Sequence, residues 1–242
     1  GIGYLIYLFA KEFKDPLVAK LSSSAFLFSP PVWYNSAVWG STESLFSLPL
    51  FAAFLAIYKK KTSFAPVLFT ISFLIKPTVL LALPILGLWW IRQVNLRTLI
   101  RAGLTSAILF YLSHIPFHPQ GTAFWIVKLY RDDIHEILGY LTANAFNLWG
   151  LIFGFAPRPD STLFLEIPAY LWGFGFFGFF ILYFFQSINR KSKAQVYLLG
   201  SALLVFAGFL FLTRMHERYF YLTIPYLATL MGFDRNIQKA FW

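Results

Sequence analysis

The sequence predicts an all-α fold, a polytopic transmembrane helical bundle, and three observations support that prediction. The chain of 242 residues is 58% hydrophobic and only 12% charged, whereas soluble domains carry about 25% charged residues. Its apolar residues occur in runs separated by short basic or polar segments. Runs of about 20 apolar residues are what a bilayer core of about 30 Å requires. Residues 1–242 are therefore interpreted as a single transmembrane domain.

The excess of basic residues favours loops that face a membrane over a nucleic-acid surface. The chain has 20 Lys and Arg residues against 10 Asp and Glu residues, a net charge of +10. In membrane proteins such an excess collects in cytoplasmic loops, where it lies against an anionic leaflet. We expect membrane lipid, and no nucleic acid, among the partners. The absence of cysteine excludes disulfides and thiolate chemistry.

The apolar runs give the predicted spans in order. Residues 1–10 look like the second half of a helix already under way, so the sequence is interpreted as a fragment that lacks an N-terminal part. Residues 64–90 are interrupted at Lys76-Pro77, because proline breaks a helix. Counting both short arms of that segment, we expect about eight spans. The other runs predicted to span are 17–28, 45–58, 99–116, 163–185, 194–212 and 221–233.

The positions of the basic residues select between two interpretations of 64–90. If the Lys59–Lys61 loop is cytoplasmic, a hairpin that turns outside at Lys76 keeps the later basic loops cytoplasmic, as the positive-inside rule requires. One long kinked helix would reverse them. Arms of about 13–15 residues reach only about 20–22 Å, so we expect the turn in a recess of the outer face. The hairpin leaves six basic residues outside: Lys76, Lys128, Arg131, Arg158, Arg214 and Arg218.

The region 117–161 is predicted to lie on the outer face without spanning. Within it, 124–141 has helical periodicity, with apolar residues such as Val127 and Tyr130 on one face and charged ones such as Lys128 on the other. This pattern is typical of an amphipathic helix at the membrane interface. Pro30-Pro31 are expected to prevent helix formation in the segment before residue 44.

The stretch TRMHERYFY, 213–221, places four charged or titratable side chains between two apolar runs. Such residues at membrane depth are costly and mark sites or pathways. A solvated turn is the alternative, but ordinary turns favour Gly, Asn, Asp, Ser and Pro, and this stretch has none of them. We expect it to be the centre of the functional site. Its candidate site residues are Arg214, His216, Glu217, Arg218 and Tyr219.

The outer-face motif NSAVWGSTES, 35–44, contributes Asn35, Trp39 and Glu43, which we expect to face the same site. Ser41 or Thr42 is also expected to cap the helix that begins near residue 44. Taken alone, Trp39 fits better as a residue of the aromatic belt found at membrane interfaces.

Lys76 is a cation in the middle of an apolar run. Its side chain either snorkels to the interface or finds an anionic partner, for which a phosphate is the natural candidate because lysine is a compact point charge.

The motif LTANAFNLWG, 141–150, supplies two amides and an aromatic ring, Asn144, Asn147 and Trp149. Amides can hydrogen-bond sugar hydroxyls while a ring stacks on the sugar. A loop capped by asparagine and anchored by tryptophan fits the sequence equally well.

No metal site and no cofactor are expected. His114 and His118 have the spacing of two ligands on a helix, but Pro116 lies between them and breaks that geometry. Asp132-Asp133 fit the solvated face of the amphipathic helix.

These motifs, in the order PPVWYNSAVWGSTESLF, Lys-Pro hairpin, LTANAFNLWG, TRMHERYFY, resemble those of the polytopic GT-C glycosyltransferases. The similarity runs over about residues 30–230 and is greatest to the prokaryotic relatives of the second mannosyltransferase of GPI-anchor assembly. Such enzymes take a sugar, mannose here by analogy, from a polyprenyl-phosphate donor and act on the outer face of the cell membrane. Their catalytic carboxylate lies in the first outer loop, which is expected upstream of residue 1, so the general base is missing from this chain.

The resemblance implies an inverting transfer to a glycan or lipid acceptor. Cations stabilise the departing lipid phosphate, and Arg218, Arg214 and Lys76 are assigned that role. His216 and Glu217 would bind the sugar or hold the arginines. We expect one outward-facing recess to be lined by Asn35, Lys76, Asn147 and His216. The other residues expected to bind the donor or the acceptor are Trp39, Glu43, Asn144 and Tyr219.

The competing interpretation is a transporter or flippase of lipid-linked sugars. Such proteins carry polar residues near the bilayer midplane and internal repeats, whereas the charged residues here lie at helix ends on one face.

Overall fold

The computed structural model describes residues 1–13, 15–117, 124–132, 139–189 and 192–231. It confirms the predicted all-α helical bundle. The helices are α1 (Ile2–Lys11), α2 (Pro16–Phe28), α3 (Pro30–Trp33), α4 (Glu43–Tyr58), α5 (Phe64–Ile75), α6 (Leu83–Ile91), α7 (Leu96–His114), α8 (Phe124–Asp132), α9 (Leu148–Phe153), α10 (Ala169–Ser187), α11 (Ala194–Phe211) and α12 (Ile224–Leu230). Four two-residue strands accompany them in the described part: β1 (Thr142–Ala143), β2 (Leu163–Phe164), β3 (Ile167–Pro168) and β4 (Met215–His216).

Three helices of the described chain are long and apolar enough to cross a membrane: Leu96–Phe117, α10 and α11. Only 6% of the first and 17% of the second is buried within the protein. Apolar side chains such as Leu104 and Phe179 are therefore exposed over much of their area. Contiguous exposed apolar surface of this kind suits contact with lipid rather than water, and it indicates a membrane protein.

The interior is built where α4, α11 and α12 meet. Tyr226 of α12 packs edge-on against Phe51 and Phe54 of α4, with ring centroids 5.7 and 5.1 Å apart. Such edge-to-face pairs stabilise beyond their area burial. The crossing of α10 and α11 depends on Gly173, because a Cβ there would lie 2.7 Å from the carbonyl oxygen of Phe211.

The predicted hairpin at 64–90 is confirmed. The chain breaks at Lys76, forms a 3₁₀ turn over Pro77–Leu81 and returns in α6. Its two ends lie side by side: the indole Nε1 of Trp90 donates to the carbonyl of Thr62 at 2.8 Å, and Lys60 Nζ donates to Gln93 Oε1 at 2.9 Å. A single kinked helix would hold these ends far apart.

The bundle has two chemically different ends. At one end, which we call the basic end, Lys59 pairs with Glu12. At the same end the guanidinium of Arg92 donates to the carbonyl of Ile188 at 2.9 Å and to the hydroxyl of Tyr197 at 3.0 Å. The 16 residues of α4 separate this end by about 24 Å from the opposite end, called the motif end, where Glu43 lies.

At the motif end the segment 139–168 lies across the ends of the helices. β1 pairs in parallel with β4, Thr142 opposite Met215. The buried Trp149 donates from Nε1 to the carbonyl of Phe211 at 2.7 Å, which fixes the segment to the end of α11.

Several predicted boundaries need correction. The span predicted at 163–185 begins only at Ala169, because residues 163–168 form the β2–β3 hairpin. Pro30 and Pro31 do not prevent a helix: they start α3, since proline is tolerated in a first turn where its missing N–H needs no partner, and a π-helical turn, Tyr34–Val38, follows. Thr42 occupies the expected N-cap of α4, but its side chain makes no capping hydrogen bond. Of the amphipathic stretch 124–141, a helix is seen over Phe124–Asp132, while 133–138 lie outside the described residues.

Candidate functional site

The centre of the motif end is a buried carboxylate that binds two cations. Glu43 is the first residue of α4, and its side chain is 1% exposed. Its Oε1 accepts a hydrogen bond from Lys76 Nζ at 2.6 Å, and Arg218 Nε lies 3.4 Å from the same oxygen. These residues with Tyr219 are called the Glu43 cluster below. Four sequence-predicted residues, from three distant parts of the chain, thus meet.

Lys76 reaches the cluster because the hairpin turns there. It ends α5 in an extended conformation before Pro77, as residues that precede proline usually do. Its ammonium lies 4.4 Å from the centre of the Tyr219 ring and 5.3 Å from that of Phe46, distances at which a cation is attracted to the ring face. The lysine therefore points into the protein, and the snorkelling alternative does not describe it.

The partners of Arg218 correct one step of the sequence argument. The departing lipid phosphate was the partner expected for Arg218, with Glu217 binding the sugar or holding the arginines. The guanidinium instead lies near two carboxylates, Glu43 at 3.4 Å and Glu217 at 3.9 Å. The second carboxylate oxygen of Glu43, Oε2, is buried and has no hydrogen-bond partner among the described residues. With Glu217 counted, two carboxylates balance the charges of Lys76 and Arg218 without a ligand.

His216 extends the site away from Glu43. Its Nε2 is 2.8 Å from the hydroxyl of Tyr140, and its Nδ1 is 4.0 Å from Glu217 Oε2. Burial, followed by the nearby Arg218 charge, lowers the pKa of His216 below its usual value. Burial raises the pKa of Tyr140. Near neutral pH the pair is therefore an uncharged imidazole and a protonated phenol.

Arg214 forms a separate ion pair with Asp160. Its Nε donates to Asp160 Oδ2 at 2.6 Å, and the carboxyl side chain is only 9% exposed. The backbone of Arg214 has φ +64°, a conformation that costs a non-glycine residue energy, and its N–H donates to the carbonyl of Leu141 at 3.2 Å. These contacts attach the 139–168 segment to the turn before His216, so in this arrangement Arg214 positions the site.

The two asparagines of LTANAFNLWG differ in their placement. Asn144, in the left-handed conformation at φ +56°, forms a β-bridge with His216 and so borders the site. Asn147 is the N-cap of α9, accepting from the N–H of Gly150 at 3.0 Å and donating to the carbonyl of Leu212 at 3.4 Å. The capping alternative therefore describes Asn147, whose amide is 4% exposed.

Asn35 and Trp39 are not joined to the Glu43 cluster by hydrogen bonds. The amide of Asn35 donates to the carbonyl of Pro31, one helical turn earlier, at 3.0 Å. Trp39 is half-exposed and packs edge-on against Tyr34, in keeping with the belt alternative. Of the four residues expected in one recess, Lys76 and His216 are connected through the ring of Tyr219. Asn35 bonds to its own helical turn, and Asn147 bonds to α9 and to the carbonyl of Leu212.

Sequence reasoning missed Tyr140 and Asp160. Tyr140 lies near the end of the predicted amphipathic stretch 124–141, and Asp160 lies in a proline-rich loop, so neither stood out. The only available signal for Asp160 was that Arg214 needed a carboxylate, since a buried charge must be paired.

The described residues contain no group of three or more His, Cys, Asp or Glu residues that could hold a metal ion. His114 is buried at the end of α7, where its Nδ1 is 2.7 Å from the carbonyl of Phe110, and His118 lies outside the described residues.

No family model matches the chain, and no curated protein and no solved structure matches it either.

Proposed function

We propose that this protein is a multi-pass membrane glycosyltransferase. It moves a hexose, mannose by analogy, from a polyprenyl-phosphate donor to a glycan or lipid acceptor, with inversion at the anomeric carbon. The observation that carries the proposal is that Lys76 and Arg218 converge on one oxygen of the buried Glu43 at the motif end.

The two cations suit a phosphate leaving group. Lys76 has three N–H donors and Arg218 has five, and Glu43 Oε1 is the nearest acceptor to both. Their other donors can bind the non-bridging oxygens of a lipid phosphate as its charge grows. Donors that are held in place before the reaction stabilise a transition state without a reorganisation cost, and Glu43 provides that support.

The division into two ends supports an outer-face site. Basic residues of several loops meet at the basic end, whereas the Glu43 cluster, His216 and the 139–168 segment occupy the motif end. By the positive-inside rule the basic end faces the cytoplasm. The motif end then faces outward, where the polyprenyl-linked sugar is used.

An apolar cavity near the site supports a lipid-linked donor. It has a volume of about 560 Å³ and is lined in part by Asn147, on the same loop as the Asn144 that pairs with His216. Apart from Asn147 its walls are apolar, including Phe146, Leu151 and Phe155. Part of an isoprenoid chain can lie there while its phosphate reaches the cations.

The test is transfer of labelled mannose from polyprenyl-phosphate mannose by the full-length protein in liposomes, with lipid-linked and free glycans as acceptors. Lys76→Met should lower transfer by about 100-fold, the scale of one lost charge-stabilising donor. Lys59→Met is the matched control at the basic end and should keep transfer within about 2-fold, since an exposed pair contributes little. Equal transfer by both variants would contradict the role of the cluster. Movement of the intact donor across the bilayer without transfer would favour the flippase alternative.

A further inference from the structure

The seam between α5 and α7 contains a polar cavity at the basic end. The cavity belongs to that end because α7 begins three residues after Gln93, which Lys60 binds there. Its volume is about 190 Å³. A single buried water needs only about 10–15 Å³, so the cavity has room for a phosphate group. The residues that line it are Ser63, Thr98, Arg101, Ala102 and Thr105.

Arg101 supplies this cavity with an uncompensated positive charge. Among the described residues, no carboxylate pairs with the Arg101 guanidinium and no group hydrogen-bonds to it. In the same part of the chain the hydroxyls of Ser63 and Thr98 are also without a hydrogen-bond partner. Arg97 is exposed one helical turn before Arg101, and like charges at this spacing repel each other. An anion in the cavity would relieve the repulsion and accept hydrogen bonds from all three unused groups.

Two apolar cavities continue the seam from there. Their volumes are about 300 and 250 Å³. Both are lined by Ser106, the residue after Thr105 of the polar cavity. Apart from Ser106 and Thr70 their walls are apolar, and they include Phe69 in both and Phe110 in the smaller one. Polar and apolar spaces thus follow one another along the same face of α7.

The order of these cavities matches the build of a phospholipid. From Thr98 to Phe110 the helix rises by about 18 Å, which compares with a headgroup and one leaflet of a bilayer whose core is about 30 Å thick. The seam faces outward, because only 6% of the α7 span is buried within the protein. A phosphate can therefore occupy the polar cavity while acyl chains lie along the apolar ones. A soluble phosphate compound would use the polar cavity alone.

We propose that the α5–α7 seam binds one anionic glycerophospholipid from the leaflet at the basic end. The planar fork of Arg101 donates to two phosphate oxygens, and the hydroxyls of Ser63 and Thr98 donate to the others. Basic pockets between membrane helices hold phosphorylated lipid headgroups in the same way. The additional charge of Arg97 favours an anionic headgroup over a zwitterionic one. Because the seam opens at the end opposite Glu43, the inference is independent of the proposed transfer reaction.

The experiment measures lipid binding by native mass spectrometry of the full-length protein in detergent, titrated with phosphatidylglycerol. Wild type should retain one lipid, and Arg101→Gln should bind it about 10-fold more weakly or worse, as expected when a hydrogen bond to a charged group is lost. Arg101→Lys keeps the charge without the fork and should fall between them. Lys20→Gln is the matched control, since Lys20 is exposed one turn into α2 at the same end. It should bind within about 2-fold of wild type.

Three further arms identify the ligand. Ser106→Phe fills the junction of the apolar cavities and should weaken phosphatidylglycerol binding by about 10-fold. Glycerol phosphate, which has no acyl chains, should bind wild type about 100-fold more weakly than the lipid does, and phosphatidylcholine should not be retained. Equal binding of glycerol phosphate would identify a soluble phosphate as the ligand, and equal retention of phosphatidylcholine would exclude recognition of the headgroup charge. Either result would overturn the proposal.

Thermal unfolding without added lipid checks that the variants fold. Arg101→Gln should unfold at the wild-type temperature, because its guanidinium has no partner in the described chain. Unchanged binding of phosphatidylglycerol by folded Arg101→Gln would refute the site. If that variant is unstable, Thr98→Val decides in its place: it keeps every charge, removes one donor to the phosphate and should bind the lipid about 5-fold more weakly. Wild-type binding by folded Thr98→Val would then refute the site.

Discussion

Lys76 Nζ donates a 2.6 Å hydrogen bond to Oε1 of Glu43, and this contact joins the turn of one helical hairpin to the first turn of α4. Both groups lie where burial is costly for a charge, with side chains 17% and 1% exposed. Removing one partner of such a pair leaves the other uncompensated, which costs more than the pair itself contributes. The contact therefore makes the site and the stability of the motif end depend on each other.

Glu43→Gln should lower the free energy of unfolding by about 2–4 kcal/mol, because Lys76 and Arg218 both lose their shared counter-charge. Thermal unfolding in detergent measures this. Glu12→Gln removes the corresponding partner of Lys59 at the basic end, where the side chains are 32% and 43% exposed, and should cost less than about 1 kcal/mol. Equal loss in the two variants would show that the Glu43 pair contributes no more than a surface contact.

Introduced single cysteines can report which side of the membrane each loop faces, because this sequence contains no cysteine of its own. Cysteines placed at Lys60, Gln93 and Lys193 should react with an impermeant maleimide only from the cytoplasmic side. A cysteine at Asn144 should react only from the outside. Lys60 and Gln93 are hydrogen-bonded to each other, so labelling of these two positions from opposite sides would contradict the fold itself, whereas exchange of both sides together would reverse only the orientation.

The sequence predicted the hairpin because its signals are local. Pro77 removes a helical hydrogen bond, and Lys76 is a charge that an apolar helix does not retain. The proximity of Lys76 to the 213–221 turn was predicted because the topology placed both on the outer face of the membrane. Charge patterning and helix periodicity were sufficient for these features.

The choice of partners could not be predicted in the same way. Arg214 and Asp160 are separated by 54 residues, and nothing local distinguishes Asp160 from Glu43 or Glu217 as the counter-ion of a given arginine. The asparagines of LTANAFNLWG were ambiguous for a related reason: the amide groups that cap a helix are the same groups that bind sugars. Only the position of the Gly150 N–H, 3.0 Å from the Asn147 oxygen, decides for the cap.

Asp160→Asn should loosen the 139–168 segment from the turn that carries His216. The change removes the charge that Arg214 needs while keeping the shape of the side chain, so we expect a loss of about 1–3 kcal/mol, the range for a buried group that loses its charged partner. Limited proteolysis should cut the segment faster than in wild type. Arg158→Gln, two residues earlier, is a suitable control because Arg158 is exposed. Unchanged proteolysis of Asp160→Asn would show that the strand pairing alone holds the segment.

Acidification should destabilise the motif end through His216. Its pKa is lowered in the folded protein by burial and Arg218, so as pH falls below about 6.5 the unfolded chain binds a proton before the folded one does. Stability then falls with decreasing pH until the folded-state pKa is passed, and it is insensitive to this group above about 6.5. Unfolding of wild type and His216→Gln over about pH 5–7.5 measures the difference. The substitution should flatten the acidic limb, and parallel curves would exclude His216 as its cause.

The role of Arg218 in transfer can be separated from its structural role, because two substitutions affect the two roles differently. Arg218→Ala removes the cation opposite Glu43 and should cost about 2–4 kcal/mol of transition-state stabilisation in mannose transfer, the scale of one lost oxyanion donor. Arg218→Lys keeps the charge but loses the planar fork, so it should retain part of the activity. If Arg218 only supports the fold, Arg218→Ala should lower thermal stability together with transfer. If Arg218 binds the leaving phosphate, Arg218→Ala should lose transfer with little loss of stability, because Lys76 still pairs with Glu43 at 2.6 Å. Wild-type turnover by a folded Arg218→Ala would remove the residue from the mechanism.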